Sequence, residues 1–227
     1  MNFDQEQHYR DEMVQIGRWL YERGWTPSYS GNYSVLLDEQ RILTTPTGYC
    51  KGLLQPADLI IVDRQGVPLD PQTPLPSSEL LMHLAVYAER PDVRACVHAH
   101  PPRTIACSIA GIELTQPLLE DIILTLGKIP TVPYARTGTA ALGEAIKPFI
   151  RDHDALVLDH HGSLTVASSL TKAFHRTEQV EQAATIISTA LSMGRLQPLA
   201  AEHVADLLAV RRARGGNPKA EPLLPEA

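Results

Sequence analysis

The sequence predicts a single α/β domain. Three observations lead there: strand-like and helix-like segments alternate along the chain, no linker long enough to separate two domains interrupts them, and no internal repeat is present. With 227 residues, 44% of them apolar and 20% charged, the chain has ordinary globular composition and enough length to bury a substantial core.

Near the start, Tyr9, Met13, Ile16 and Leu20 recur at helical spacing, and Gly24 follows as a stop. TPSYSGNYSVLL passes from turn residues into a strand, and RILTTPTG gives a second strand that runs into a Pro-Thr-Gly turn. DLIIVD reads as a buried strand closed by the turn RQG, and residues 66–76 form a proline-rich loop. SSELLMHLAVYAER reads as a helix opened by a serine cap and ended before Pro91. VRACVHAH is a short strand, after which Pro101-Pro102 opens another helix. KIPTVPYARTGT is expected to be extended and TAALGEAIKPFI helical; DALVLDHHGSLTVA makes two strands broken at His160-His161-Gly162. A long amphipathic helix runs from Ser169 to about Met193, and AEHVADLLAVRRAR forms the last one. The domain is expected to span 1–215. Residues 216–227, rich in Gly, Pro and charge, are expected to be a flexible tail.

The balance of 20 basic against 26 acidic residues gives a net charge of -6, which argues against nucleic acid or an acidic membrane surface as partner. The first dozen residues carry no apolar signal-like run, and no stretch has the length of a membrane helix, so a cytoplasmic protein is expected. Cys50, Cys96 and Cys107 lack paired metal spacing and read as reduced, packing thiols.

Candidate chemistry gathers at the histidines. Successive strand side chains alternate faces, so His98 and His100 point the same way, about 7 Å apart along the strand. Two imidazoles at a strand end make half of a metal site, with LDHHGSL as the natural source of a third ligand. Two histidines in a strand also occur as ordinary hydrogen-bonded side chains. Other segments suit an anion. SGN at 30–32 and PTG at 46–48 offer turn N–H groups, and Ser77 and Ser78 stand at a helix start. A plain helix cap would use the same serines.

Taken in order, SGNYS, LTTPTG, PSSELLMH, CVHAH, VPYARTGT and DHHGSL resemble the class II aldolase/adducin family over about residues 10–195. Within it the chain looks most like the fuculose-phosphate type of ketose-1-phosphate aldolase. The resemblance implies a three-layer α/β/α domain on a largely antiparallel sheet, assembled as a homotetramer with active sites between subunits. It implies one divalent metal ion per subunit on His98, His100 and His161: zinc first, with manganese, cobalt or iron also acceptable to three histidines. It also implies Glu79 as the acid–base carboxylate, and Gly31, Asn32, Thr47, Gly48, Ser77 and Ser78 as phosphate-binding positions.

The activity it implies is cleavage of a small phosphorylated sugar, a fuculose, 5-deoxy- or methylthio-pentulose 1-phosphate, to dihydroxyacetone phosphate and an aldehyde. The same site also serves a methylthioribulose-1-phosphate dehydratase, a ribulose-phosphate 4-epimerase or a sugar-acid phosphate decarboxylase. Epimerases of the family carry Asp where Glu79 stands. A non-enzymatic adducin-like module would lack the metal histidines, and all three are present. One departure stands out. Fuculose aldolases use a tyrosine as proton donor downstream of the H-x-H strand, and LTQPLLEDIIL has none, which leaves Glu120, Asp121 or water. His83, one helical turn after Glu79, is expected to be a structural hydrogen-bond partner. His160, His175, His203 and Tyr134 are expected to lie outside the metal set.

Overall fold

A computed structural model describes residues 3–224. Seven strands form one sheet: β1 (Asn32–Leu36), β2 (Ile42–Thr44), β3 (Ile60–Val62), β4 (Ala95–Ala99), β5 (Thr131–Val132), β6 (Ala155–Leu158) and β7 (Gly162–Ala167). Their spatial order is β3-β2-β1-β4-β7-β6-β5, antiparallel throughout except for the β5–β6 pair. The helices are α1 (Phe3–Glu22), α2 (Leu80–Glu89), α3 (Pro102–Ile109), α4 (Glu120–Thr125), α5 (Ala140–Ile150), α6 (Leu170–Met193) and α7 (Ala201–Ala213).

The central strands are buried on both faces, and their apolar residues are interrupted by the buried polar side chains Asn32, Ser34, His98, Ser163 and Thr165. One face packs Leu36, Cys96, Leu164 and Val166 against Val86 of α2 and Ile146 of α5. The opposite face packs Val35, Val97 and Ala99 against Met13 and Ile16 of α1 and Phe174 of α6. This is the expected three-layer α/β/α domain on a largely antiparallel sheet. The three cysteines are free thiols, with Cys96 and Cys107 buried, and no helix among the described residues is long and apolar enough to cross a membrane.

Three local expectations differ from what is seen. Glu79, not a serine, takes the N-cap position of α2 and makes no side-chain cap bond there, while Ser77 Oγ accepts from the Glu79 amide. Residues 120–125, read only as a donor-bearing stretch, form the short helix α4 under α7. The expected flexible tail is docked through Glu221. There Ala220 is buried and accepts from the Lys128 amide (2.8 Å), while Asn217 donates to the Asp152 carbonyl (3.0 Å). Arg211 reaches back to the Asn217 carbonyl at 3.0 Å, so the chain after α7 folds over its own last turn. Residues 225–227 of that expected tail lie outside the described residues.

Candidate active site

Sheet register assembles the site. In the β1–β4 pair Asn32 lies opposite His98, and in the β4–β7 pair Ala99 lies opposite Ser163, just after His161 and Gly162. The three central strands thus bring residues from 32, 98–100 and 161 to one sheet end, and α2 delivers Glu79 across it. The β6–β7 turn is tight: His161 N bonds to the Leu158 carbonyl (3.0 Å), and His160 takes a left-handed φ of 56°. Gly162 is required there, since a Cβ would fall 2.3 Å from the Ala99 carbonyl and against the His98 and His100 rings.

His98, His100, His161 and Glu79 each offer a ligand atom, and these atoms lie within 4.8 Å of one another. β4 ends at Ala99, and the chain turns into Pro101 right after His100. The His98 and His100 ring centroids are therefore 4.8 Å apart, closer than a continued strand would hold them. His98 Nδ1 lies 2.9 Å from the Ser163 carbonyl, which can only accept. Nδ1 thus donates to that carbonyl and Nε2 faces the cluster, the orientation a carbonyl partner gives a metal-ligating histidine.

The donor set fits a metal ion. His98 Nε2 is 3.0 Å from His100 Nε2 and 3.4 Å from Glu79 Oε2, and His161 Nε2 is 3.2 Å from Glu79 Oε1. Ligands about 2.0–2.1 Å from a tetrahedral zinc stand roughly 3.3 Å apart, close to these spacings. Buried polar atoms without a hydrogen-bond partner concentrate here as well: Asn32 Oδ1, Glu79 Oε1 and His161 Nδ1. Burial, with the charges of His98 and His161, brings His100 down to about 3, so it stays a neutral base. Burial alone would raise the Glu79 carboxyl, but the adjoining His98 and His161, by charge and hydrogen bonding, hold it well below the carboxylate range. Histidines that act as neutral ligands exert no such pull.

Several of the other expected residues lie close to this cluster. Asn32 is fully buried and its Nδ2 donates to Glu79 Oε2 at 2.9 Å, so its side chain orients the carboxylate. Gly31 has φ 70°, and a Cβ there would sit 3.0 Å from the His98 carbonyl and 2.5 Å from Thr26 Cγ2. The Thr47 amide donates to the Leu75 carbonyl (2.9 Å) and the Ser77 amide to the Thr45 carbonyl (3.3 Å), which lays the Thr47-Gly48 turn beside Ser77-Ser78. Ser77 Oγ accepts from the Glu79 amide at 3.3 Å. Gly138 of the RTGT segment approaches Ser78, whose Oγ lies 3.3 Å from where a Gly138 Cβ would be.

Glu120 and Asp121 do not join the cluster; they line a separate groove with Arg23, Glu178 and Gln182. His83 Nδ1 bonds to Ser34 Oγ (2.8 Å), which also meets the Tyr87 hydroxyl (2.8 Å), a buried polar chain beneath Glu79. His160 is turned to Asp159 at 2.7 Å, and Tyr134, His175 and His203 are exposed outside the site.

Sequence reasoning missed Glu181. From α6 it accepts the amides of Arg103 and Thr104 and the Thr104 hydroxyl (2.8–3.0 Å), fixing the helix start that follows His100. A carboxylate on the buried stripe Ala173, Thr177, Ala184 was the available signal. Lys51, buried between Cys50 and Gly52, was also missed.

The family model for the class II aldolase and adducin N-terminal domain matches residues 11–188. The chain is 33% identical to 3-oxo-tetronate 4-phosphate decarboxylase of Pectobacterium atrosepticum over 89% of this chain and 93% of that protein. It is 34% identical to L-fuculose phosphate aldolase of Methanococcus vannielii over 81% and 98% of the two chains. Among solved structures, YgbL from Klebsiella pneumoniae, described as an aldolase/epimerase/decarboxylase, superposes with a TM-score of 0.82 at 35% identity, covering 89% of this chain and 98% of that one. With the histidine cluster in its sheet-end position and the family match running across most of its length, the chain belongs to the class II aldolase and adducin family.

Proposed function

We propose that the protein is a metal-dependent decarboxylase of a 3-oxo sugar-acid phosphate, of the 3-oxo-tetronate 4-phosphate type, yielding dihydroxyacetone phosphate. The observation that carries this reading is the proton inventory of the cluster. Among the described residues Glu79 is the one carboxylate that stands with the three histidines, while Glu120 and Asp121 face another groove. Aldol cleavage needs one group to take the hydroxyl proton from the departing aldehyde carbon and a proton for the remaining carbanion. Decarboxylation needs only the second, because carbon dioxide leaves without a proton. Similarity to the Pectobacterium atrosepticum decarboxylase over 89% of the chain supports the same choice.

In this reading the C1–C2 bond of the substrate breaks, carbon dioxide departs, and the electron pair left at C2 is conjugated with the C3 carbonyl. His98, His100 and His161 would hold a divalent ion, which when bound would supply Lewis-acid stabilisation of the developing negative charge. Glu79, protonated from solvent, delivers the single proton to C2 and is left as the carboxylate, completing dihydroxyacetone phosphate. Asn32 holds that carboxylate in place through its Nδ2 bond. The turns at Gly31-Asn32 and Thr47-Gly48, with Ser77 and Ser78, hold the phosphate and so fix C2 against Glu79, a positioning contribution. A homotetramer with active sites between subunits belongs to the same proposal.

Ketose-1-phosphate cleavage is the second reading, favoured by the 34% identity to the Methanococcus vannielii fuculose phosphate aldolase. It passes through the same charge beside a carbonyl and differs in the leaving group. A coupled assay for dihydroxyacetone phosphate separates the two. The protein is expected to release it faster from 3-oxo-tetronate 4-phosphate than from fuculose, 5-deoxyribulose or methylthioribulose 1-phosphate, and to lose that release on chelation. Faster release from a ketose 1-phosphate would replace the decarboxylase by the aldolase.

A further inference from the structure

Lys51 is among the largest fully buried side chains, with 1% of its surface exposed. Its Nζ donates to the Tyr29 carbonyl at 3.1 Å and to the Tyr49 carbonyl at 2.7 Å. The first carbonyl leads into the Ser30-Gly31-Asn32 turn, and the second leaves the Pro46-Thr47-Gly48 turn. One ammonium therefore ties together two turns that are 16 residues apart in sequence but adjacent in space.

Both acceptors are neutral. The lysine ion pairs among the described residues belong to Lys147 and Lys219, so Lys51 has no counter-charge at contact distance. An ammonium carries three donors, and two are used here. Burial lowers the Lys51 pKa to about 8, and the Glu79 carboxylate offsets part of that shift. A buried cation without a partner is costly, and the cost is relieved when an anion enters beside it. The turns it joins are built for one: Gly31 and Gly48 both have left-handed φ (70° and 74°), and nothing lies within 4 Å of a Cβ placed at Gly48.

We infer that Lys51 is a positioning residue for the phosphate end of the substrate: its ammonium fixes the two turns in one arrangement and supplies the positive charge that a phosphate dianion meets there. The inference rests on the reading of these turns as the phosphate cradle. It adds a charged group to a cradle otherwise made of backbone amides and serine hydroxyls.

The test uses the full-length, metal-loaded protein with inorganic phosphate as probe, by calorimetric titration and as a competitive inhibitor of turnover. Lys51→Met removes the charge and both bonds; Lys51→Gln keeps amide donors without the charge; Lys51→Arg keeps the charge. Both neutral variants are expected to weaken phosphate binding and raise KM by about tenfold or more, with kcat within about threefold, metal content unchanged and partial recovery in Lys51→Arg. A folded, metal-loaded neutral variant with the parent's phosphate affinity and KM would overturn the inference and leave Lys51 as a staple between carbonyls. If Lys51→Met does not fold, Lys51→Gln decides. Absence of phosphate binding by the parent itself would instead remove the cradle reading and Lys51's role together.

Discussion

Asn32 and Glu79 show how single side chains set this site. The Asn32 amide reaches Glu79 Oε2 at 2.9 Å from a fully buried position, while its Oδ1 has no partner. Asn32→Ala would free the carboxylate to rotate without touching a histidine. Turnover is expected to fall by about 10–100-fold while bound metal stays at the parent level, measured by elemental analysis beside the assay. Loss of metal in that variant would mean that Asn32 supports the ion rather than the carboxylate. At this scale much was legible: alternation alone put His98 and His100 on one face, because the strand period is a local property. His161 needed the family pattern, since only tertiary pairing of β4 with β7 carries it to the other two. Asn32 was expected at the phosphate. The register that seats it opposite His98, and so within reach of Glu79, is a non-local fact.

Between elements, α2 is joined to β1 by the chain His83–Ser34–Tyr87, whose members come from 34, 83 and 87. Burial, reinforced by the charge of His98, lowers His83 from the ordinary 6.5 to about 3. The folded protein therefore keeps this ring neutral while the unfolded chain takes up a proton below pH 6.5. The sign follows: stability is unaffected by His83 above pH 6.5 and is lost as pH falls from there toward 3, by about 1.4 kcal/mol per pH unit. His83→Asn retains an acceptor for the Ser34 hydroxyl and takes no proton. Its unfolding free energy, from urea titrations between pH 6 and 4, is expected to fall less steeply than the parent's by about that slope. Equal slopes would place the acid response elsewhere, with His100 the next group to consider. The helical spacing of Glu79 and His83 marks His83 as a structural hydrogen-bond partner, but the partner it meets is Ser34 on β1, which only tertiary packing supplies. The helix start was not legible: Ser77 and Ser78 looked like caps, yet Glu79 takes the N-cap position while its side chain serves the histidines.

For the molecule as a whole, alternation of strands and helices gave the fold class, but strand order could not be read from it. The antiparallel sequence β1-β4-β7 joins strands some 60 residues apart, and it alone brings the histidines and Asn32 to one sheet end. The docked segment after α7 was illegible for a related reason. Its composition is that of a free tail, but a buried Arg211 and the Lys128 amide supply partners that composition does not show. The same distinction governs function. Motif order identifies a family whose members share the charge-stabilising step, and the group that leaves depends on which proton donors the assembled site contains. The most direct measurement is therefore 13C NMR of 1-13C-labelled 3-oxo-tetronate 4-phosphate, with metal-loaded and chelator-treated protein and a protein-free blank for spontaneous decay. The decarboxylase reading predicts labelled carbon dioxide and bicarbonate, with unlabelled dihydroxyacetone phosphate, well above the blank and only with metal. Decay at the blank rate in the presence of metal-loaded protein would contradict it.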